Sequence, residues 1–380
     1  MSDIQGRADD RFQPVVDALS ASLDSGDDLG ASLSITVEGE TVVDVWGGWA
    51  DEARTKPWQE DTIVNVWSTT KTMTALTGLV LADRGEIDVD APVSTYWPEF
   101  AQNGKEGVLV RHLLSHCSGV SGLEAPATVE DLYDQAGAAA RFAAQAPWWE
   151  PGTASGYHAL NYGHLIGEVV QRVSGRSLGT YFAEEIAGPL GADFFIGLPA
   201  SEDSRVTPVV PPPPLPFDLS VLDPDSPMVK TFTGPPADAS SANTEAWRRA
   251  EIGGANGHGN ARSVARIQAV VANGGVIDGV KLLSPETIDR IFDVQADGVD
   301  LVLGVPLRFG IGYGLSQPDT LPYLPDRRLC FWGGWGGSMI IVDTEHRTTL
   351  AYMMNRMWEG IVGCPRSAKL ITEFYGIVGR

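Results

Sequence analysis

The chain reads as an α+β protein in which strands from both ends build one sheet and the middle forms a mainly helical domain. Two patterns predict this. Apolar and polar residues alternate near both termini, and helically spaced apolar residues dominate the stretch between them. A third observation sets the scale: 380 residues, 43% of them hydrophobic, can bury a large core and suit two domains sharing an interface. The expected division assigns 1–66 and 250–380 to a discontinuous α/β domain and 67–249 to the helical one.

Taken in order, residues 11–23 predict an amphipathic helix, with Phe12, Val15, Val16, Leu19 and Leu23 on one face. Residues 31–37 and 41–46 alternate like strands around the tight turn Glu38-Gly39-Glu40, which makes a hairpin. Helical spacing returns over 69–84 through Met73, Leu76, Leu79, Val80 and Ala82, and Gly85 stands where a C-terminal cap belongs. A second helix over 160–173 carries Tyr162, Leu165, Ile166, Val169 and Val170 on one face and stops at Gly175. Residues 208–236 hold ten of the 25 prolines. Proline locks φ and removes a backbone donor, so an extended surface excursion is expected there, bordering the substrate entrance. Further on, 261–271 predicts a helix, 328–332, 338–342 and 348–353 predict short strands, and 365–375 a closing helix. No internal repeat is present.

Charge excludes some functions. With 27 Lys+Arg against 49 Asp+Glu the net charge is −22, and the basic residues form no cluster that would neutralise phosphates. Nucleic acid and anionic membrane are therefore not expected as partners, and no stretch approaches the ~18 apolar residues of a membrane span. The polar, acidic start at 1–10 lacks the basic and apolar segments of a secretory signal, so a cytoplasmic protein is expected, monomeric or weakly dimeric. Cys117, Cys330 and Cys364 are widely spaced with no C-x-x-C pattern, which argues against a disulfide framework or zinc. Of the six histidines, only His112 and His116 stand at i,i+4, and hydrogen bonding within a turn explains them better than a metal. His258 reads as structural. No metal and no cofactor is expected.

Two serines sit in motifs that suggest nucleophiles. Gly175-Arg176-Ser177-Leu178-Gly179 fits G-x-S-x-G, but that pattern works only on a strand-to-helix turn, and here it follows a helix. Ser68-Thr69-Thr70-Lys71 is better placed, at the start of an apolar helix, with Lys71 one turn beyond Ser68 on the same face. A serine hydroxyl needs a base within hydrogen-bond reach. Burial and the positive helix end would both lower the lysine's pKa toward neutrality, and the helix start would offer the Ser68 N–H to an oxyanion.

Over most of its length the chain resembles the serine β-lactamase and penicillin-binding-protein superfamily, most closely the class C β-lactamase branch and the family VIII carboxylesterases. The resemblance lies in Trp67-Ser68-Thr69-Thr70-Lys71-Thr72, Gly85-Glu86-Ile87-Asp88-Val89-Asp90, His112-Leu113-Leu114-Ser115-His116-Cys117-Ser118-Gly119, Pro151-Gly152-Thr153 leading to Tyr157, and Phe331-Trp332-Gly333-Gly334-Trp335-Gly336-Gly337-Ser338. It implies a β-lactamase/transpeptidase-like fold, an antiparallel sheet flanked by helices plus a mainly helical domain, with the cleft between them. It also implies that Ser68 is acylated, that Tyr157 shares the proton work with Lys71, and that Trp335 supplies the second oxyanion N–H. Beside an ammonium the tyrosine's pKa is expected to fall.

The departures from the family pattern are equally informative. Ala159, Trp332 and Gly333 stand where the resemblance implies the Asn of Y-x-N and the Lys and Thr of K-T-G, so the groups that would hold a substrate carboxylate are missing. An ester needs only a nucleophile, a proton shuttle, an oxyanion hole and an apolar pocket. Trp67, Trp148, Trp149 and Trp332, with Gly333 and Gly334, are the expected substrate-binding residues, about half of the tryptophans serving as core instead. The expectation is a serine carboxylesterase acting on short-chain or otherwise uncharged esters. Acyl transfer to an alcohol, and weak β-lactam or D-amino-acid amide hydrolysis, are the alternatives; the intact Ser68, Lys71 and Tyr157 speak against a non-enzymatic binding protein.

Overall fold

The structure is a computed structural model that describes residues 3–213, 221–236 and 238–379. Both ends of the chain enter one nine-stranded sheet. Its strands are β1 (Gln5–Ala8), β2 (Gly30–Val37), β3 (Glu40–Gly48), β4 (Ala296–Val299), β5 (Pro306–Phe309), β6 (Gly314–Leu315), β7 (Leu329–Gly333), β8 (Met339–Asp343) and β9 (Thr348–Met354). They run in the order β1-β3-β2-β9-β8-β7-β6-β5-β4, every pair antiparallel. The β2–β9 pair, from Ala31 opposite Met354 to Val37 opposite Thr348, joins the N-terminal strands to the C-terminal ones.

Helices cover both faces of this sheet, which is why β2, β8 and β9 are buried almost throughout. On one face α1 (Gln13–Ser25) lies against the final helix α5 (Pro365–Val378), with Phe12 stacked on Phe374 at 6.5 Å. The other face carries α4 (Ala261–Ala272). There the sheet presents small hydroxyl residues, so the helix backbone approaches closely: the Ala261 N–H donates to Ser32 Oγ, and Thr36 and Thr349 pair across the strands at 2.7 Å.

The predicted helices at 69–84 and 160–173 are α2 (Thr70–Asp83) and α3 (Tyr162–Ser174), the latter ended by Gly175 at φ 72°. Every α2 residue from Thr70 to Leu81 is buried. A helix covered all round must satisfy its own hydroxyls, and it does: Thr72 donates to Thr69 O, Thr77 to Met73 O and Thr74 to Gly253 O. A smaller four-stranded sheet (Phe194–Phe195, His258–Gly259, Ile63–Asn65, Val206–Thr207) supports the chain as it enters α2.

Two features differ from the sequence expectations. Strand β1 and strands β4 to β6, at the two ends of the sheet order, are not among the predicted strands; each is only two to four residues long. The proline-rich excursion is not wholly extended, since Pro227–Thr233 is a helix whose Ser226 cap accepts the Val229 N–H. Pro227 stands in its first turn, where the missing N–H costs nothing. Residues 214–220 of that excursion lie outside the described residues. No helix among the described residues is long and apolar enough to cross a membrane.

Candidate active site

Ser68 lies in a 3-10 turn, Trp67–Thr69, that runs directly into α2. Trp67 takes φ 49°, a left-handed conformation costly for a bulky residue, and the turn is held in place from outside. Ser338, just before β8, donates to Val66 O at 2.8 Å and pairs with Thr69 Oγ1 at 2.9 Å. Gly334 sits so close that a Cβ there would overlap Val66 O and Ser338 Oγ and lie 3.1 Å from Trp67 Cβ. The glycine is required because the end of β7 and the serine turn touch backbone to backbone.

Lys71 Nζ is 3.0 Å from Ser68 Oγ and donates to two carbonyls, Ala159 O at 2.8 Å and Gly254 O at 2.7 Å. The side chain is 1% exposed with no carboxylate among these partners, and desolvation holds its pKa well below the ordinary lysine value. A neutral amine has two N–H groups and one lone pair. With both N–H groups engaged by carbonyls, the lone pair is left for the Ser68 hydroxyl. Thr70 and Thr74 of α2 fix the segment that supplies Gly254: Gly257 N–H donates to Thr70 Oγ1 and Thr74 Oγ1 to Gly253 O.

Tyr157 completes the group. Its hydroxyl hydrogen-bonds Ser68 and accepts the Trp332 indole N–H at 3.2 Å, and its ring lies 4.6 Å from Lys71 Nζ. Burial raises the phenol's pKa, an effect that the Ser68 and Trp332 hydrogen bonds only partly oppose. This corrects the sequence expectation of a lowered value. The expectation assumed a neighbouring ammonium, whereas the same dry surroundings that favour neutral phenol also favour neutral amine.

Around this group stand one residue with no sequence signal, Asp300, and the two histidines of the i,i+4 pair. Asp300 is fully buried, and its Oδ1 accepts the N–H of Tyr157, Val302 and Leu303 at 2.9–3.1 Å, fastening the Tyr157 segment to the loop after β4. His112 accepts the Leu109 N–H within its turn, as a turn role requires. His116 does something else: at φ 63° its ring packs against Tyr157, Tyr162 and Phe309 at 4.8–5.0 Å, and its Nδ1 accepts the His158 N–H. Burial holds its pKa well below the usual imidazole value, so no cation competes with Lys71 there.

Of the tryptophans, Trp67 packs on Trp335 at 5.1 Å and on Trp247 at 5.4 Å, and Trp332 packs on Tyr157 at 5.3 Å. Trp149 donates to Ala154 O and lies behind the Tyr157 segment, while Trp148 sits near Gly122 and below Lys230. Neither has a described contact with Ser68, Lys71 or Tyr157. Strand β7 pairs with β6 only through Cys330 and Phe331, so Trp332 and Gly333 lie beyond that pairing. The Trp335 N–H has no acceptor among the described residues. Ser177 caps the helix Leu178–Phe182 and donates to Glu251 at 2.7 Å.

A serine hydroxyl within 3.0 Å of a buried amine whose charged form is disfavoured by desolvation is chemistry suited to acyl transfer, and the class it defines is that of the serine hydrolases. Comparison with known proteins agrees. The Beta-lactamase family model matches residues 14–361, and the chain belongs to that family. It is 35% identical to the esterase/beta-lactamase LipL of Mycobacterium tuberculosis, over 98% of this chain and 86% of that one. Among solved structures it is similar to a family VIII carboxylesterase, at 43% identity and a TM-score of 0.92 over 99% of this chain and 100% of the other. A penicillin-binding protein homologue from Caulobacter crescentus gives 38% identity and a TM-score of 0.90 over the same shares. The fold is that of the β-lactamases and penicillin-binding proteins.

Proposed function

We propose that the protein is a carboxylesterase that hydrolyses short-chain or otherwise uncharged esters through an acyl-enzyme on Ser68. Lys71 Nζ takes the Ser68 proton as Oγ adds to the ester carbonyl, and the N–H groups of Ser68 and Trp335 hold the oxyanion. The Tyr157 hydroxyl donates its proton to the departing alkoxide and is reprotonated from Lys71. Water then enters, loses its proton along the same path in reverse, and releases the acid from Ser68. The raised Tyr157 pKa suits this role, because the phenol must hold its proton until an alkoxide forms.

The observation that carries the preference for neutral esters is at position 332. The indole there donates to Tyr157 at 3.2 Å, so the strand beside the nucleophile offers a hydrogen-bonded aromatic in place of a cation for a substrate carboxylate. The net charge of −22 acts in the same direction, since it repels anionic β-lactams. The esterase relatives support the reading.

The test is the turnover of a short-chain aryl ester, a chromogenic cephalosporin and a D-amino-acid amide by wild type and Ser68→Ala. The ester is expected to be the best substrate and Ser68→Ala to lose at least ~10³-fold in kcat. Cephalosporin turnover above ester turnover would refute the substrate class. Ester turnover that survives Ser68→Ala would refute the nucleophile.

A further inference from the structure

The loop 334–337 that presents the Trp335 N–H has little side-chain packing of its own, because three of its four residues are glycine. Gly336 and Gly337 take φ 94° and 118°, and a Cβ on them would lie 2.7 Å from Met357 Cβ and 2.5 Å from Cys364 Sγ. Such a loop keeps its shape through backbone hydrogen bonds. At one end Gly334 N–H donates to Ser338 O and Gly337 N–H to Gly334 O. At the other, the Gly336 carbonyl accepts the Trp358 N–H at 2.8 Å and Arg366 Nη2 at 2.9 Å.

Arg366, in the first turn of α5, is 9% exposed and belongs to a network reaching across the sheet's α1 face. Its Nη1 donates to Asp28 Oδ1 at 2.7 Å and Asp27 O at 2.9 Å, and its Nη2 reaches Arg356 O as well as Gly336 O. Asp28 is buried and accepts two further bonds, from Ser22 Oγ and Tyr352 Oη, each at 2.6 Å. A single planar guanidinium thus links the segment before β2, the segment after β9 and the oxyanion loop. Its fork geometry suits that task in a way that a lysine ammonium cannot match.

We propose that Arg366, held by Asp28, is a positioning residue for catalysis: by fixing the Gly336 carbonyl it sets the Trp335 amide against the oxyanion. The proposal rests on the assignment of the Trp335 N–H made above. Oxyanion stabilisation depends on donors placed to within a few tenths of an ångström, so loosening this anchor acts on the transition state far more than on substrate binding.

The test compares wild type, Arg366→Lys and Asp28→Asn on a neutral aryl ester, with active sites counted by fluorophosphonate titration and stability followed by Tm. A boronic acid that forms a tetrahedral adduct on Ser68 serves as the transition-state probe. Arg366→Lys is expected to lower kcat per titrated site by ~10- to 100-fold, leave KM within about threefold, and weaken boronate binding in parallel. Asp28→Asn keeps the arginine and is expected to show the same pattern at about 3- to 10-fold, which keeps the proposal testable if Arg366→Lys does not fold. A lowered Tm with kcat per titrated site and boronate affinity unchanged would mean a structural brace only, and would overturn the proposal. If the underlying site assignment is wrong, wild-type Ser68 will fail to label, a result distinct from the variants' behaviour that removes the basis of the proposal.

Discussion

Acid should unfold this protein over a window set by its buried histidines. His158 Nδ1 faces Gly156 O at 2.7 Å and its Nε2 faces Ser118 Oγ at 2.6 Å, while Ser118 Oγ also accepts the Val120 N–H. His258 Nδ1 faces Asn256 O at 2.8 Å, and its Nε2 is buried with no partner among the described residues. A second proton on either ring must be added without water. Burial accordingly lowers His158 from 6.5 to about 3 and His258 from 6.5 to about 4. Because the folded values are depressed, the unfolded chain binds more protons below pH 6.5. The stability is fully present above 6.5 and is lost as pH falls toward the folded values. At pH 5 each ring is about 1.5 units into that window, so the pair withdraws about 4 kcal/mol. His116, also lowered by burial, adds to this. That loss is a large share of the ~5–15 kcal/mol typical of a folded protein. Urea unfolding at pH 7.5, 6.5, 5.5 and 5.0 measures it, with His158 and His258 alone expected to give a slope approaching ~2.7 kcal/mol per pH unit below 6 and His116 to steepen it. A free energy at pH 5 within about 1 kcal/mol of that at pH 7.5 would refute the argument.

Further expectations concern the catalytic group. Lys71 must be neutral to act as base, so kcat/KM should rise with pH through a pKa well below the ordinary lysine value. Lys71→Arg, which has no neutral form, should lose at least ~10³-fold at every pH; retention of a tenth of the activity would place the base elsewhere. Tyr157→Phe removes the hydroxyl that links Ser68 and Trp332, and kcat on an aryl ester should fall by ~10²–10⁴ with KM little changed. Gly334→Ala places a methyl on Val66 O and Ser338 Oγ and forces the serine turn away from β7. Stopped-flow acylation should slow by ~10²-fold, and an unchanged rate would mean that this close approach does not position the oxyanion donors.

The proximity of Ser68 and Lys71 was legible because it is local. Ser68 and Lys71 are i,i+3 at a helix start, and helical geometry brings them together whatever the rest of the chain does. The long helices and central strands were legible for a similar reason, since periodicity records burial on one face. Strands β4 to β6 were not, because strands of two and four residues carry too few residues for a pattern. Much of the site's second layer was equally hidden. Gly254 contributes a carbonyl, Asp300 accepts backbone N–H groups and Ser338 grips a backbone oxygen, all across long separations in sequence. Backbone groups are the same in every residue, so their roles leave no trace in composition or spacing.

The sequence by itself determined which residues could do chemistry here and where the main elements lie: a serine and a lysine one turn apart, a tyrosine to join them, and no cation at position 332. Only the tertiary structure decided how strongly each favours its neutral form. Placed in water, Lys71 would be an ammonium and Tyr157 an ordinary phenol. In the packed cleft, two carbonyls and three aromatic rings replace the solvent around the amine and the phenol. The free energy of charging both groups then shifts in favour of their neutral forms. Desolvation depends on how many parts of the chain converge on a point, which is a property of the fold and of no single segment.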